Sequence, residues 1–572
     1  MAVWEKYDKW SITDVSWRDG FSQDPYYWLS NSYQYSENIN TDDELHWIKL
    51  AQKALSANVC PKCNLVQAGG QVFALPLDWW TVKVFNSSNW TSPTSTNADI
   101  HSSASWSASL NVSTYGNGTV FQDYFWFGMA IEASKGSQTA NASGFWRIQI
   151  GDETTSGERY IPYDHTDATD ESISDPSTKT DMMSDAITAV LNYNNTRLVV
   201  WAGQSLRVYY PELDMNRQDP DIPRWQTGWK KVQTFENGCT IIALTCTFQY
   251  LKIRVTDEWW NTKVYYYQGN DDLRNTFVYD LVDLTNTKVL RVYPINWIDY
   301  YTASLDWTDG FVTFNKLVGK TPIQLLKQRP WLSSYDANQK AAYFVWPTSM
   351  SASYLDGVFY VADSYGVWKF KYNPQWADVW YLKWKLHGSS RQIYGLAVCE
   401  NYVYVSDSSW LYRMRLYDTW LDGYQSKWLL VSREFEWTHG GCIAKMLDDV
   451  RVHFELNPLI NDSDNAGSID IYVSPNNLRH NVDPEDDDSW RYKVMHIDWA
   501  SGSQNRLTRF EITKALNNLN GWTPAFEFDR ETITYCVVIK RWSSSAQRTP
   551  IIREVSLTYH TKGKTNNIYD IK

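Results

Sequence analysis

The chain has 572 residues, which is too many for one ordinary hydrophobic core, so we expect at least two domains. Its formal net charge is −12 at pH 7 and its basic residues are not clustered, so we expect no nucleic-acid partner. Aromatic residues make up 16% of the chain and alternate with β-branched residues in short runs, a pattern that favours sheet over helix.

The distribution of apolar residues argues against a membrane span and against a secretory signal. No apolar run approaches the roughly 18–20 residues of a membrane-spanning helix, so we expect no membrane span. The first residues, Met1–Lys6, lack the apolar core of a secretory signal, and we expect the chain to be made in a host cytoplasm. The best helix candidates are short: Glu44–Leu55 and Asp181–Leu191.

Residues 1–43 are aromatic and polar, contain the turn signal Asp19-Gly20, and predict an extended N-terminal lead-in segment. Beyond it, Cys60 and Cys63 form the one tight pair among seven cysteines. Their spacing suits half of a zinc site, but a second close pair of Cys or His is not evident in the sequence. Inert or disulfide-forming thiols are therefore the main expectation and a metal site the alternative, and we predict no cofactor.

The clearest internal repeat lies in the second half of the chain. Leu355–Lys371 and Cys399–Arg415 both read as strand, tight polar turn and strand. The offset between them is 44 residues, so that Lys369 aligns with Arg413. A strand-turn-strand unit that recurs about every 40–50 residues is typical of β-propeller blades, because several units around an axis can bury faces that one unit cannot.

Similar units precede these two. We divide residues 44–437 into about seven units, with approximate bounds 44–95, 119–170, 185–236, 237–288, 289–335, 336–388 and 389–437. Propellers carry about four to eight blades, so we predict a β-propeller of about seven blades over 44–437.

The pattern changes after Gly440-Gly441. Residues 442–572 alternate between apolar and polar positions in five or more runs, among them Ser468–Val473. Such runs, joined by polar turns, predict a jelly-roll-like β-sandwich. The fold prediction is therefore all-β: a β-propeller followed by a C-terminal β-sandwich.

This combination resembles the propeller-containing tail proteins of tailed bacteriophages, which serve as nozzle, fibre or tail-tip subunits. Two features carry the resemblance. The strand Ser468–Val473 is followed later by Trp490, and the closing stretch Arg548–Tyr559 places a proline and an apolar pair before an alternating strand. The resemblance implies a virion structural protein located in the tail. Its partners would be other tail proteins and further copies around a symmetry axis, with attachment to a host-surface glycan or receptor as a further role. The resemblance implies no catalytic residue in this chain.

Tryptophan clusters are candidate contacts for a glycan or a partner, because tryptophan faces stack on pyranose rings. The alternative, which a propeller favours, is packing between blades. The candidates are Trp79, Trp80, Trp259, Trp260, Trp376 and Trp380.

Two other patterns suggest chemistry. Asp486 and Asp487 lie in an acidic run that could bind Ca²⁺, but the spacing does not match an EF-hand and a solvated loop is the better interpretation. Asp363-Ser364 and Asp407-Ser408 resemble sialidase Asp-box turns, but the rest of that motif is absent, so we interpret them as structural turns. We therefore predict no catalytic residues and no enzymatic activity. A carbohydrate-binding adhesin or lectin-like module is the second hypothesis, and a glycoside hydrolase is the third.

Overall fold

The structure is a computed structural model, and its described residues form strands and turns without any helix. This confirms the all-β prediction. The described residues are 9–21, 31–42, 45–50, 54–57, 60–77, 82–86, 89–92, 94–97, 109–135, 138–151, 156–160, 187–193, 195–209, 229–235, 239–246, 250–256, 262–268, 277–281, 288–295, 298–304, 312–318, 321–326, 351–355, 358–362, 366–371, 379–385, 393–400, 402–409, 411–415, 427–436, 445–456, 467–474, 492–499, 509–515, 527–528, 532–541 and 550–561.

Six strands precede the first complete sheet. They are β1 (Lys9–Asp14), β2 (Gly20–Phe21), β3 (Ser32–Glu37), β4 (Ile39–Asn40), β5 (Lys49–Leu50) and β6 (Ala54–Ala57). Strands β4 and β5 form a two-stranded sheet of their own. The other four strands join sheets formed by later parts of the chain.

Strands β7 to β34 form a series of sheets, most of them built from four strands in chain order. Sheet 1 contains β7 (Cys63–Ala68), β8 (Gln71–Pro76), β9 (Lys83–Asn86) and β10 (Asn89–Thr91). Sheet 2 contains β11 (Thr94–Asn97), β12 (Ser109–Phe121), β13 (Tyr124–Lys135), β14 (Gln138–Gln149) and β15 (Ser156–Tyr160). Sheet 3 contains β16 (Ile187–Tyr193), β17 (Arg197–Ala202), β18 (Ser205–Tyr209) and β19 (Trp229–Thr234).

The series continues in the same way. Sheet 4 contains β20 (Thr240–Cys246), β21 (Tyr250–Thr256), β22 (Thr262–Gln268) and β23 (Phe277–Leu281). Sheet 5 contains β24 (Lys288–Ile295), β25 (Ile298–Ser304), β26 (Val312–Val318) and β27 (Thr321–Leu326). Sheet 6 contains β28 (Ser351–Leu355), β29 (Val358–Ala362), β30 (Gly366–Lys371) and β31 (Val379–Lys385). Sheet 7 contains β32 (Ile393–Cys399), β33 (Tyr402–Asp407) and β34 (Leu411–Arg415), with β6 as its fourth strand.

These sheets pack face to face in sequence order. Hydrophobic clusters join sheet 1 to sheet 2, sheet 2 to sheet 3, and sheet 3 to sheet 4. Others join sheet 6 to sheet 7, and sheet 7 back to sheet 1. Strand β12 lies beside β16, β20 beside β24, β28 beside β32, and β32 beside β7, so the first strands are neighbours. Because the series returns to sheet 1, its plan is that of a β-propeller.

The ring is closed by hydrogen bonds as well as by packing. Strand β6 pairs antiparallel with β34, placing Leu55 opposite Arg413. Sheet 7 therefore takes its last strand from the chain that leads into sheet 1. This arrangement covers an edge of sheet 7 that would otherwise present unpaired backbone groups.

The remaining strands form two further sheets. They are β35 (Lys427–Ser432), β36 (Phe435–Glu436), β37 (Lys445–Leu456), β38 (Gly467–Ser474), β39 (Tyr492–Trp499), β40 (Arg509–Ala515), β41 (Glu527–Phe528), β42 (Thr532–Arg541) and β43 (Pro550–Thr561). Sheet 8 has the order β1-β43-β37-β40, with β41 also on β37. Sheet 9 has the order β3-β35-β42-β38-β39, with β36 also on β42. Buried side chains of both sheets belong to one hydrophobic cluster.

Strand pairing departs from the predicted division of the chain in two places. The lead-in segment 1–43 supplies β1 to sheet 8 and β3 to sheet 9. Strand β35 lies inside the predicted propeller range of 44–437, yet it pairs with β42 in the range 442–572. Each of these pairings joins residues more than 100 positions apart, and periodicity within a short window carries no information about them.

The two candidate helices are wrong. The described part of Glu44–Leu55 contributes to β5 and β6, and the described part of Asp181–Leu191 belongs to β16. Strand pairing overrides the weak local preference in both cases: β5 pairs with β4, β6 with β34, and β16 with β17. None of the described residues forms a helix that is long and apolar enough to cross a membrane.

Candidate functional site

The N-terminal clasp, which we define as residues 9–21 and 31–42, connects the propeller to the C-terminal sheets. Strand β2 pairs with β31 at the outer edge of sheet 6, where Phe21 lies opposite Trp380. Strand β2 also pairs with β3, and β3 pairs with β35 of sheet 9. Sheets 6 and 9 are thereby parts of one sheet, which has eleven strands among the described residues. The clasp is the candidate functional site because it joins the two halves of the chain.

Asp42 anchors the end of the clasp to sheet 6. Its carboxylate lies 2.8 Å from Lys369 Nζ and 2.9 Å from Lys371 Nζ. The Asp42 and Lys369 side chains are only 8% and 5% exposed, whereas Lys371 is 52% exposed. Burial alone raises the pKa of Asp42, but the charges and hydrogen bonds of the two lysines outweigh it and hold that pKa below its usual value.

Asp14 anchors the other end of the clasp between sheets 8 and 9. Tyr535 Oη donates a hydrogen bond of 2.6 Å to Asp14 Oδ2, and both residues are buried. Burial raises the pKa of Asp14 to about 6, although the Tyr535 hydrogen bond and the charge of Arg433 lower it. Burial and the neighbouring Asp14 also raise the pKa of Tyr535 well above its ordinary value.

Buried or half-buried cations recur on the third strands of the propeller sheets. Lys369 lies opposite Tyr360, Arg413 opposite Tyr404, and Arg147 opposite Trp126. Further examples are Arg207 in β18 and Lys316 in β26. The recurrence shows that the alignment of Lys369 with Arg413 in the sequence marks an equivalent structural position.

Each of these cations has its own partners. The Arg147 guanidinium lies 4.3 Å from the Tyr124 ring centroid. The Arg413 guanidinium lies 4.6 Å from the Tyr402 centroid and 5.4 Å from the Phe85 centroid, which belongs to sheet 1. Such contacts favour cations that are removed from water, and the contact between Arg413 and Phe85 crosses from sheet 7 to sheet 1.

Another buried ion pair joins sheets 4 and 5. Asp299 of β25 accepts hydrogen bonds from Arg254 and from Lys252 Nζ, the latter at 2.9 Å. Arg254 and Asp299 are both 3% exposed. A pair with this little exposure is costly to break, because removing one partner leaves an uncompensated charge.

Cys60 and Cys63 are brought together, but they lie inside the contact between sheets 1 and 7. Both are free and fully buried, and Cys63 Sγ donates to the Cys60 carbonyl at 3.0 Å. Burial raises the pKa of the Cys63 thiol well above its ordinary value, and its contact with Cys60 raises it further. No group of three or more potential metal ligands occurs among the residues that the structure describes. The pair therefore packs as a small apolar unit.

Asp407 closes its own turn. Its Oδ1 accepts a hydrogen bond of 2.6 Å from the Ser409 backbone N–H, and its carbonyl accepts one of 2.9 Å from Lys62 N–H. This is a structural turn at the contact between sheets 7 and 1, as the sequence analysis indicated. Asp363, the residue aligned with it, lies outside the described residues.

Most of the other predicted site residues also lie outside the described residues: Trp79, Trp80, Trp259, Trp260, Trp376, Asp486 and Asp487. The backbone of Trp380 lies in β31, where it pairs with Phe370 and with Phe21 of the clasp. The glycan-contact and Ca²⁺ interpretations therefore stay predictions.

One polar cluster that the sequence analysis missed lies on β38 and the edge strand β39. The buried Asp470 carboxylate lies 2.8 Å from Lys493 Nζ and 2.5 Å from His496 Nδ1. His496 Nε2 lies 2.8 Å from Asp498 Oδ1. Alternation in β39 places His496 and Asp498 on one side of the strand, and the register shift beside Val494 brings Lys493 to the same carboxylate. Alternation in the sequence could have indicated the first two residues but not the third.

The two anchors of the clasp were also missed. Asp42 and Lys371 are 329 residues apart, and Asp14 and Tyr535 are 521 apart. The repeat marked Lys369 as equivalent to Arg413, but a single sequence gives no signal for the acidic partner that lies in another part of the chain.

No protein-family model and no curated protein sequence matches the chain. Similar solved structures include virginiamycin B lyase from Staphylococcus aureus, at 9% identity and a TM-score of 0.36, covering 64% of this chain and 99% of the lyase. BamB from Moraxella catarrhalis is similar at 8% identity and a TM-score of 0.30, covering 64% of this chain and 97% of BamB. The N-terminal domain of Nup159 is similar at 9% identity and a TM-score of 0.33, covering 67% of this chain and 97% of that domain.

Proposed function

We propose that the chain is a structural subunit of a bacteriophage tail, built from a seven-bladed β-propeller and a C-terminal β-sandwich. Sheets 1 to 7 are the seven blades in this proposal, with β6 closing the last one. Sheets 8 and 9 are the two layers of the sandwich. The subunit has no catalytic role in this proposal, and it assembles with further copies around a symmetry axis and with other tail proteins.

The continuity of sheets 6 and 9 through the clasp is the observation that carries the proposal. Backbone pairing runs from β31 through β2 and β3 into β35, so the two parts are linked by a sheet. The link is short, with one residue pair between β2 and β31 and two between β2 and β3, but it joins the two parts by backbone pairing, whereas a flexible linker leaves two domains free to rotate. A tail subunit has to keep its parts in fixed orientation while the particle contacts a host.

Electron microscopy of particles tests the proposal directly. Gold-labelled antibodies raised against the purified chain are applied to tailed phage particles from the lysate in which the chain is produced. We expect label at the tail, and mass spectrometry of the purified particles should recover peptides of the chain. Particles that lack both the label and the peptides would contradict a virion role. A glycan-binding screen of the free protein would then test the adhesin hypothesis.

A further inference from the structure

Strand β1 occupies the edge of sheet 8. Among the described strands it pairs with β43 alone, from Lys9 opposite His560 to Asp14 opposite Val555. Trp10 and Ile12 pack in part against the hydrophobic core, and alternation places Asp14 on the same face of the strand. A short edge strand of this kind can separate without unfolding the sheet it borders.

Asp14 is the polar end of this otherwise apolar face. It is 4% exposed and reaches across to sheet 9, where Tyr535 Oη donates to its carboxyl group at 2.6 Å. The Tyr535 ring stacks on Phe435, with centroids 5.9 Å apart. The contact therefore ties the edge strand of one sheet to the middle of the facing sheet.

Charged and titratable groups face Asp14 from two of the three neighbouring elements. Tyr535 faces it from β42, and Arg433 faces it from the connection between β35 and β36. The neighbour on β43 is Val555, which does not titrate. The Arg433 guanidinium lies 4.5 Å from the Phe435 ring centroid, so the cation that faces Asp14 among the described residues also contacts that ring.

We propose that β1 is a detachable strand, and that a proton on Asp14 keeps it attached to the sandwich. With the proton bound, a neutral carboxyl group and a tyrosine hydroxyl face each other in the core. Without it, a carboxylate is buried beside one neutral donor and one partly engaged cation, and separation of β1 returns that charge to water.

The direction of the pH effect follows from the protonation equilibrium. Burial raises the pKa of Asp14 to about 6 in the attached strand, whereas the ordinary pKa of an aspartate is 3.8. The attached state therefore binds the proton more tightly. Attachment is strongest at acidic pH, weakens as the pH rises from about 4 to about 6, and is then weaker by roughly a hundredfold.

Separation of β1 uncovers part of a main-chain edge. Strand β43 pairs with β1 from Val555 to His560, and without β1 the N–H and C=O groups on that side of this stretch have no strand beside them, whereas Ile552 keeps its bridge to Ile48. Exposed edges of this kind accept an added strand. Separation of β1 would thus make the edge of β43 available near neutral pH, and attachment of β1 would cover that edge at mildly acidic pH. This proposal does not depend on the proposed tail function.

Hydrogen exchange of the full-length chain tests the proposal. Opening constants for the β1 amides are obtained from exchange rates, corrected for the intrinsic pH dependence, between about pH 4 and about pH 7. For the unaltered protein we expect the opening constant to rise by roughly a hundredfold and to level off above about pH 6. A constant that does not change across this range overturns the proposal.

Three variants distinguish the effect of Asp14 ionisation on β1 opening from changes in the stability of the whole fold. Asp14→Asn keeps the shape but cannot ionise, and its opening constant should be independent of pH. Tyr535→Phe removes the hydrogen bond that lowers the pKa of Asp14. The opening constant should therefore begin to rise at the same pH and continue to rise to a higher pH. Asp123→Asn removes a carboxylate from an exposed hairpin turn and should behave like the unaltered protein. If Asp14→Asn retains the full pH dependence, another group is responsible and the proposal fails.

Discussion

Lys369 illustrates how single residues hold this fold together. Its ammonium group is buried, it occupies the cation position that recurs on third strands, and it meets the Asp42 carboxylate at 2.8 Å. Removal of one partner from a buried ion pair leaves the other charge uncompensated.

Lys369→Met is therefore expected to lower the free energy of unfolding by about 3 kcal/mol, measured by urea denaturation. Lys371→Met is the matched control, because Lys371 contacts the same carboxylate but is 52% exposed. Its cost should stay below about 1 kcal/mol. Equal costs for the two variants would show that burial of the pair does not matter.

The lowered pKa of Asp42 also predicts that the fold loses stability in acid. Its pKa in the folded chain lies below the ordinary aspartate value of 3.8 because the two lysines outweigh burial. Such a group stabilises the fold at pH values above 3.8, and this contribution is lost as the pH falls through the lowered pKa. Asp42→Asn should therefore be less stable than the unaltered protein at neutral pH, and the difference should shrink at the acidic end. Thermal melting between about pH 2 and about pH 7 measures it, and a difference that grows in acid would contradict the assignment.

At the scale of elements, sheets 7 and 1 meet closely at Gly395. A Cβ atom added there would lie 2.5 Å from the Cys63 carbonyl oxygen and 2.5 Å from the Leu65 nitrogen, both backbone atoms. Gly395→Ala should therefore destabilise the ring by about 2–3 kcal/mol, because backbone cannot easily move aside. Gly70→Ala is the comparison: a Cβ there meets nothing within 4 Å, and only its φ of 80° opposes the change, at about 1 kcal/mol. Urea denaturation should rank Gly395→Ala as the costlier change, and the reverse order would contradict this packing.

The pairing of β6 with β34 leads to a second prediction, about the closure of the ring of sheets 1 to 7. Replacing both Leu55 and Ser56 by proline removes whichever backbone N–H points toward β34, so the pairing that closes sheet 7 should be lost. We expect a lower melting temperature and faster proteolysis within sheet 7. An unchanged melting temperature would mean that packing alone closes the ring.

Local elements could be predicted from the sequence where turn and strand signals fall close together. The predicted unit 185–236 contains the four strands of sheet 3, and the repeated unit Cys399–Arg415 contains β33 and β34. The first predicted unit mixed strands of different sheets, because β5 pairs with β4 whereas β7 starts sheet 1. Local patterns show that a strand exists, but its partner depends on contacts with distant chain segments.

The candidate site was hardest to predict for the same reason. Nothing near Asp14 indicates that a tyrosine 521 residues later will meet it. An isolated aspartate in a strand reads as a solvent-facing residue unless the facing sheet is known.

At the scale of the whole molecule, the clasp joins sheet 6 to sheets 8 and 9 by strand pairing. Removing residues 1–21 deletes β1 and β2 and interrupts the sheet between β31 and β3. We expect calorimetry to show one main transition for the full chain and two separate transitions for this truncation. Removing residues 1–8 is the control, because it deletes no described strand. A single unchanged transition after the longer deletion would show that the clasp does not couple the two parts.

The measurement that tests the central claim most directly is the mass and shape of the purified protein, by light scattering and electron microscopy. The tail-subunit account predicts a defined assembly of several copies around a symmetry axis, each copy with the propeller and the sandwich in one fixed orientation. A stable single chain of 66.7 kDa, with two lobes at variable angles, would contradict both the assembly and the rigid coupling on which the account rests.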